Sequence, residues 1–316
     1  MQSDIGIVII GRNEAARLDA TFKPVISTSY SIIYVDSAST DTSLQIAKNY
    51  NLATLYLSDD ACLCAARSRN AGFKELHKMV STLEYVQFVD GDTVLFPEWI
   101  EQAYAFLKEN PHVAVVEGVL EEKEPRSSFS KRIFQMEWEH QKGEVQATGG
   151  NCMIRRKAFS EVEGYNEHLV AGEEPEMCYR MREKGWKIYN LGIPMGVHDS
   201  AHESFLPLLK RMMRTGYSFQ QLSLLHKGKK ERLFYRENLS NWVYGGLLPL
   251  LILLFLPWYP WVSGALLMVY PLLFIKIYTH LNNPWSPANK ASYALFCIVS
   301  KFPGFIGACQ YLYKRF

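Results

Sequence analysis

The 316 residues carry 34 basic and 32 acidic side chains, a net charge of +2 that by itself argues for no polyanionic partner. That length holds one large domain or two modest ones with ample core. Six cysteines form no C-x-x-C pair, which leaves metal-ligand spacing absent and fits reduced thiols facing a cytosol.

From Met1 the chain runs straight into a strand-like segment without a secretory signal, so the front part is expected to stay cytosolic. The runs "IGIVIIG" (5–11), "SIIYVDSAS" (31–39), "LATLYL" (52–57) and "YVQFVD" (85–90) are rich in Ile, Val and Tyr. Helical patterns separate them, which predicts a mainly parallel sheet with crossover helices, an α/β fold. Thr40 or Asp41 would cap the second helix and leave Asp36 at the carboxyl end of its strand. Ligands collect at such ends, so Asp36 and Asp90 are expected to face one crevice. After Pro97 come a helix, a strand over 112–122, a helical stretch over 127–142, "TGGNCMIRRKAF" and "GEEPEMCYRMREKGW".

The back of the chain differs in kind. Eight basic residues and one acid lie between Lys210 and Arg236, and no Asp or Glu follows Glu237. Residues 241–259 and 261–279 are each long enough, at about 19 residues, to cross a bilayer. Pro249 and Pro271 interrupt them, as membrane helices tolerate. Basic flanks place both ends of this hairpin on the cytoplasmic side; the competing reading is a buried core hairpin. Residues 290–312, broken by Lys301, Pro303 and two glycines, read as an interfacial or re-entrant segment. The expected division is 1–203 catalytic, 204–237 a basic helical linker, and 238–316 a membrane region.

"FVDGDTV" places Asp90 and Asp92 one residue apart. Such acids repel unless hydrogen bonds or a cation compensate. A tight Asp-Gly turn explains the pair, and so does a divalent cation bridging the phosphates of a nucleotide. A calcium loop does not, because Leu95 takes the position that requires glycine. The stretch also fits the haloacid-dehalogenase-like phosphatase pattern, but three predicted strands precede it where that pattern ends a first strand.

Taken together and in order, "VIIGRNEAARL", "YVDSASTDTS", "AARSRNAGF", "FVDGDTVL", "TGGNCMIRRKAFSEVEGYNE" and "GEEPEMCYRMREKGWKI" resemble the family 2 glycosyltransferases, over about residues 4 to 200. The resemblance implies an A-type, Rossmann-like nucleotide-sugar domain. It implies that Asn13 and Glu14 border the nucleoside and that Asp36 contacts base or ribose, with turn capping as the other reading. Arg69 would lie near the nucleotide. Asp92 would ligate Mg²⁺ or Mn²⁺, Asp90 would contact ribose or metal-bound water, and His198 would complete the metal shell or serve as a structural histidine. Without a third ligand, His198 and His202 do not form a zinc site. Gly149 and Gly150 would lie beneath the transferred sugar. The family's acidic pair falls on Glu173 and Glu174, and Glu174 stands where the general base is normally Asp. The chain lacks the Q-x-x-R-W motif of processive members, which implies one sugar per acceptor.

With the membrane segments, the resemblance implies a nucleotide-sugar donor, a lipid-linked acceptor and work in surface polysaccharide or glycan assembly at the cytoplasmic face of the inner membrane. Lys210, Arg211 and Arg214 could meet acceptor phosphates or plain lipid. The alternatives are sugar transfer to polyprenyl phosphate itself, and a silent membrane scaffold. No nucleic-acid motif is present, and the sequence sets no oligomeric state.

Overall fold

The computed structural model describes residues 4–59, 63–138, 142–200, 205–281, 283 and 285–315. It divides into two compact units. One comprises Met1–Leu169 and Glu173–Glu203, and the other Val170–Gly172 and Ser204–Phe316.

The first unit is a nine-stranded sheet with helices on both faces. Its strands are β1 (Ile5–Gly11), β2 (Ser31–Ser37), β3 (Ala53–Leu57), β4 (Tyr85–Asp90), β5 (Thr93–Leu95), β6 (Val113–Glu122), β7 (Gly143–Glu144), β8 (Cys152–Arg155) and β9 (Lys187–His198). The order is β3-β2-β1-β4-β8-β6-β9-β5, with β7 also on β9. The four predicted strands run parallel at one side, and β6 pairs parallel with β9. β8 enters antiparallel between β4 and β6.

The apolar runs make a doubly covered sheet because alternate residues point to opposite faces. Val8 and Ile10 of β1 join one core with Phe88, Leu76, Phe159 and Met177. Ile7 and Ile9 join the other with Phe22, Leu18, Trp99 and Leu107. The helices supplying these side chains are α1 (Ala15–Ile26), α3 (Ala65–Met79), α4 (Trp99–Glu109), α6 (Arg156–Glu161) and α7 (Glu173–Glu183), with α2 (Ser43–Asn49) and α5 (Phe129–Trp138) completing the set. The helix expected over 127–142 is thus α5, and 139–141 lie outside the described residues. Asp41 serves two helix starts: Oδ1 accepts from Ser43 N at 2.9 Å and Oδ2 from Ala15 N at 3.1 Å.

The second unit is helical: α8 (Phe205–Leu225), α9 (Tyr235–Ser240), a π-helical stretch Asn241–Leu247, α10 (Leu248–Phe255), α11 (Pro260–Leu267), α12 (Val269–His280), α13 (Pro287–Val299) and α14 (Lys301–Arg315). Three segments, Tyr235–Phe255, Pro260–His280 and Pro287–Lys314, are long and apolar enough to cross a membrane. A core hairpin would bury its apolar side chains, yet only 6 % of the apolar window in Pro260–His280 is buried. Leu253, Trp261 and Leu272 are all exposed. That surface suits lipid rather than a protein interior. Within this unit α14 packs along α8 at Gly216 and Gly304, where a Cβ on Gly216 would collide with the Gly304 carbonyl.

Candidate active site

The parallel strands deliver their carboxyl ends side by side, with Gly11 in register with Asp36 and Ile10 with Asp90. After β1 the chain turns at Asn13 in the left-handed region, φ 59°, which Asn tolerates better than most residues. The Asn13 amide oxygen accepts from Thr40 N at 2.7 Å, knitting the two loops together. Glu14 accepts from Arg17 Nε at 2.6 Å. Its burial first, then the neighbouring Asp92 charge, pushes the Glu14 carboxyl up to about 7.

Asp36 is fully buried. Its Oδ1 accepts from Ser39 N at 2.9 Å and its Oδ2 from the Tyr34 hydroxyl at 3.2 Å. These bonds are those of a turn cap.

The centre of the site is Arg69 on α3, 2 % exposed. Nη2 donates to Asp90 Oδ1 at 2.8 Å, and Nη1 to Glu174 Oε1 at 2.9 Å and Glu173 Oε1 at 3.4 Å. Its guanidinium lies 5.5 Å from the Tyr165 ring centroid. Arg69 is therefore engaged with three carboxylates, where the resemblance implies a place near the nucleotide. Gly150 permits this arrangement, since a Cβ there would collide with Nη2. Asn151 holds Asp90 twice, accepting from its backbone N at 2.8 Å and donating to Oδ2 at 3.1 Å.

Glu173 and Glu174 open α7, with Glu173 buried. Burial, then the charge of Glu173, pushes Glu174 up to about 7 against the opposing pull of Arg69. A carboxyl poised there suits a general base at neutral pH.

Asp92 Oδ2 lies 3.3 Å from His198 Nε2, across the β5–β9 pairing that sets Thr93 opposite His198. His198 Nδ1 lies 3.2 Å from Glu122 Oε2. Glu122 Oε1 in turn accepts from Ser200 N at 3.0 Å and Ser200 Oγ at 2.7 Å. Burial opposes a charged imidazole, but its hydrogen bonds to the Asp92 and Glu122 carboxylates outweigh that and raise His198 to about 10. Burial likewise opposes ionised Asp92, and the His198 hydrogen bond and charge hold it below the ordinary value. Asp92 Oδ1 is buried without a hydrogen-bond partner. Among the described residues, no three His, Cys, Asp or Glu side chains converge as a cation cluster. Asp92 and His198 nonetheless fit a divalent ion that takes its remaining ligands from phosphates, since one oxygen waits unpaired and Mg²⁺ uses few protein carboxylates. His202 lies outside the described residues.

Gly149 N donates to Glu117 Oε2 at 2.9 Å. Lys210, Arg211 and Arg214 lie on α8 in the second unit. There Arg214 Nε donates to the Val170 carbonyl at 3.0 Å. Motif reading missed Arg17, Glu117, Glu122 and Asn151. Two of them do carry a sequence signal: Glu117 and Glu122 are acids inside the apolar strand pattern "VAVVEGVLEE".

Glycosyl transferase family 2 matches residues 6–163, and glycosyl transferase family group 2 matches residues 85–281. The chain is 24% identical over 259 residues to glycosyltransferase AglE of Haloferax volcanii, covering 78% of this chain and 81% of that one. Its fold is similar to that of mannosyltransferase PcManGT from Pyrobaculum calidifontis, solved with GDP-Man and Mn²⁺. The TM-score is 0.67 at 13% identity, over 100% of this chain and 89% of the other. Glucosyl-3-phosphoglycerate synthase from Mycobacterium tuberculosis aligns at TM-score 0.50 and 12% identity, over 68% of this chain and 77% of that one. The chain belongs to glycosyl transferase family 2 and is a glycosyltransferase that uses a nucleotide-sugar donor.

Proposed function

We propose that the protein is a metal-dependent, inverting glycosyltransferase that moves one sugar onto a membrane lipid-linked acceptor. The observation that carries this reading is the reach of Arg69, which holds Asp90 and Glu174 on one guanidinium. The diphosphate edge and the base then flank a single reacting carbon.

Asp92 and His198 would hold Mg²⁺ or Mn²⁺, with Asp90 beside the ribose or a metal-bound water. Bound there, such a cation would offset the negative charge of the departing diphosphate. The Mn²⁺ bound by the Pyrobaculum mannosyltransferase supports a divalent cation in general. Asn13, Glu14 and Asp36 shape the nucleoside end, and Gly149 and Gly150 lie beneath the sugar. Glu174 takes the proton of the acceptor hydroxyl, with Glu173 beside it. The hydroxyl oxygen attacks the anomeric carbon from the face opposite the diphosphate. As that bond forms, the carbon–phosphate oxygen bond breaks and its electron pair leaves with the diphosphate.

Apolar helices able to cross a membrane support a membrane lipid-linked acceptor, and the basic flanks of the 241–279 hairpin support a place at the cytoplasmic face of the inner membrane. Lys210, Arg211 and Arg214 would meet its phosphates or anionic headgroups. The glycine-mediated packing of α14 along the charged α8 supports an interfacial tail over 290–312. The role is then assembly of a surface polysaccharide or related glycan.

The test is nucleotide release from UDP-, GDP- and dTDP-sugars by protein in detergent, with Mn²⁺, with Mg²⁺ and with EDTA. One donor is expected to be hydrolysed slowly, dependent on metal and abolished by Asp92→Ala. Metal-independent turnover would remove the metal from the reading. Full transfer activity in Glu174→Gln would remove Glu174 as the base.

A further inference from the structure

Two consecutive residues at the entry to β5 carry oxygens that the chain itself does not satisfy. Asp92 Oδ1 and Thr93 Oγ1 are both buried atoms, and among the described residues neither has a hydrogen-bond partner. Thr93 as a whole is 0 % exposed. A hydroxyl that gives up water without gaining a partner lowers stability. Native interiors pair nearly all such groups, so an orphan points to a water, an ion or a function. The region is able to satisfy a threonine, because Thr21 Oγ1 donates to the Gly91 carbonyl at 3.0 Å.

The sheet register shows what Thr93 stands beside. It lies opposite His198 across antiparallel β5 and β9, and His198 lies in register with Glu122 on β6. Directly opposed residues of an antiparallel pair carry their side chains to one face, with Cβ atoms about 4.5–5.5 Å apart. Thr93 therefore flanks the His198 ring from β5, as Glu122 does from β6. Both ring nitrogens are engaged, Nδ1 3.2 Å from Glu122 Oε2 and Nε2 3.3 Å from Asp92 Oδ2. The Thr93 hydroxyl, between that ring and Asp92 in the chain, is the one polar group of the set with no partner.

We propose that Thr93 is a positioning residue of the cation site: its hydroxyl accepts a hydrogen bond from a water in the shell of the divalent ion that Asp92 and His198 would hold. The inference rests on the metal-dependent reading above. An ion held by few protein ligands keeps several waters, and hydrogen bonds from a charged centre are the strong ones. Both orphaned oxygens are then completed together, Asp92 Oδ1 by the ion and Thr93 Oγ1 by its water. Thr93 lowers stability in the metal-free protein and raises affinity for the metal.

That opposition is the test. Thr93→Val keeps the shape and removes the hydroxyl, whereas Thr93→Ser keeps the hydroxyl and removes the methyl. Both are compared with the unmodified protein in detergent, by Mn²⁺ titration with UDP or with GDP present and by thermal unfolding in EDTA. Thr93→Val should bind Mn²⁺ about tenfold more weakly, the loss typical of an outer-shell partner. In EDTA it should melt at or above the temperature of the unmodified protein, because an unpaired hydroxyl has gone. Thr93→Ser should keep most of the Mn²⁺ affinity and melt lower, because the lost methyl leaves a gap in a buried site.

Undiminished Mn²⁺ affinity in Thr93→Val overturns the proposal. So does weaker binding by both variants in step with lost stability, which would make Thr93 a packing residue. If Thr93→Val does not fold, Thr93→Ser against Thr93→Ala isolates the same hydroxyl, and equal Mn²⁺ affinity in that pair overturns it too. An unmodified protein that binds no Mn²⁺ with either nucleotide would remove the metal-dependent reading, and the proposal with it, before any variant is made.

Discussion

Nη1 of Arg69 lies 2.9 Å from Oε1 of Glu174, joining helices α3 and α7 through an ion pair between a buried guanidinium and a half-buried carboxylate. The same guanidinium meets Asp90 and Glu173, so one cation offsets three carboxylates. Removing one partner of a buried pair strands charge, at a cost of about 3–5 kcal/mol. Arg69→Met should lower stability by that amount in denaturant unfolding of the detergent-solubilised protein. Arg69→Lys should recover part of it, because it keeps the charge and loses the fork. An unchanged unfolding midpoint in Arg69→Met would show that the carboxylates are compensated elsewhere.

The pH dependence of transfer follows from Glu174, raised to about 7 by burial and then by Glu173. Glu173, Arg69, Asp90 and Tyr165 are the charged or titratable groups around it. A base works only when deprotonated, so the rate should climb through about pH 7. Glu173→Gln removes a negative neighbour and should move that limb to lower pH. The linked stability has the opposite sign from that of a salt-bridged acid. Between 4.5 and about 7 the folded protein keeps a proton that the unfolded chain has lost. This group's contribution therefore declines as pH rises across that window. A rate profile that stays flat from pH 6 to 8 would remove Glu174 as the titrating base.

Much of this site is legible in the sequence, and for a definite reason. The motifs end strands whose apolar residues alternate between two cores, so Asp36, Asp90 and the turn at Asn13 must meet at one edge of a parallel sheet. The partners of those residues were not legible. Arg69 reaches Glu174 across 105 positions, and His198 reaches Glu122 across 76. Neither pairing leaves a local pattern. β8 inserts antiparallel between β4 and β6, out of chain order, and that insertion brings Asn151 to Asp90. Asp36 shows a different limit. Its position at a strand end was readable, but its two bonds depend on Tyr34 in the same strand and Ser39 in the turn that follows.

Glu122 is the residue that orients His198, and its effect can be measured without turnover. Its Oε2 faces His198 Nδ1 while Oε1 is held by Ser200. Partners of this kind fix the ring and raise its basicity as a ligand, and their loss costs about 10–100-fold in metal affinity. Glu122→Gln should therefore weaken Mn²⁺ binding by that factor in a titration with the nucleoside diphosphate present. Binding of the nucleotide without metal should stay unchanged. Equal Mn²⁺ affinity in the variant would leave His198 as a structural histidine held by Asp92.

The packing of α14 on α8 yields a prediction confined to the second unit. A Cβ on Gly216 would collide with the Gly304 carbonyl, and one on Gly307 with the Met213 carbonyl. Backbone atoms cannot swing aside as a flexible side chain does, so the two helices must separate. Such close approach through small residues is a common basis of helix association in membranes. Gly216→Val should therefore lower the melting temperature in detergent, with a loss of about 1–3 kcal/mol typical of overpacking. Gly264 is the control, because nothing lies within 4 Å of the Cβ it would gain. Gly264→Ala should melt with the unmodified protein. If Gly216→Val melts there as well, the helices are not held by this contact, and the support it lends to an interfacial tail is withdrawn.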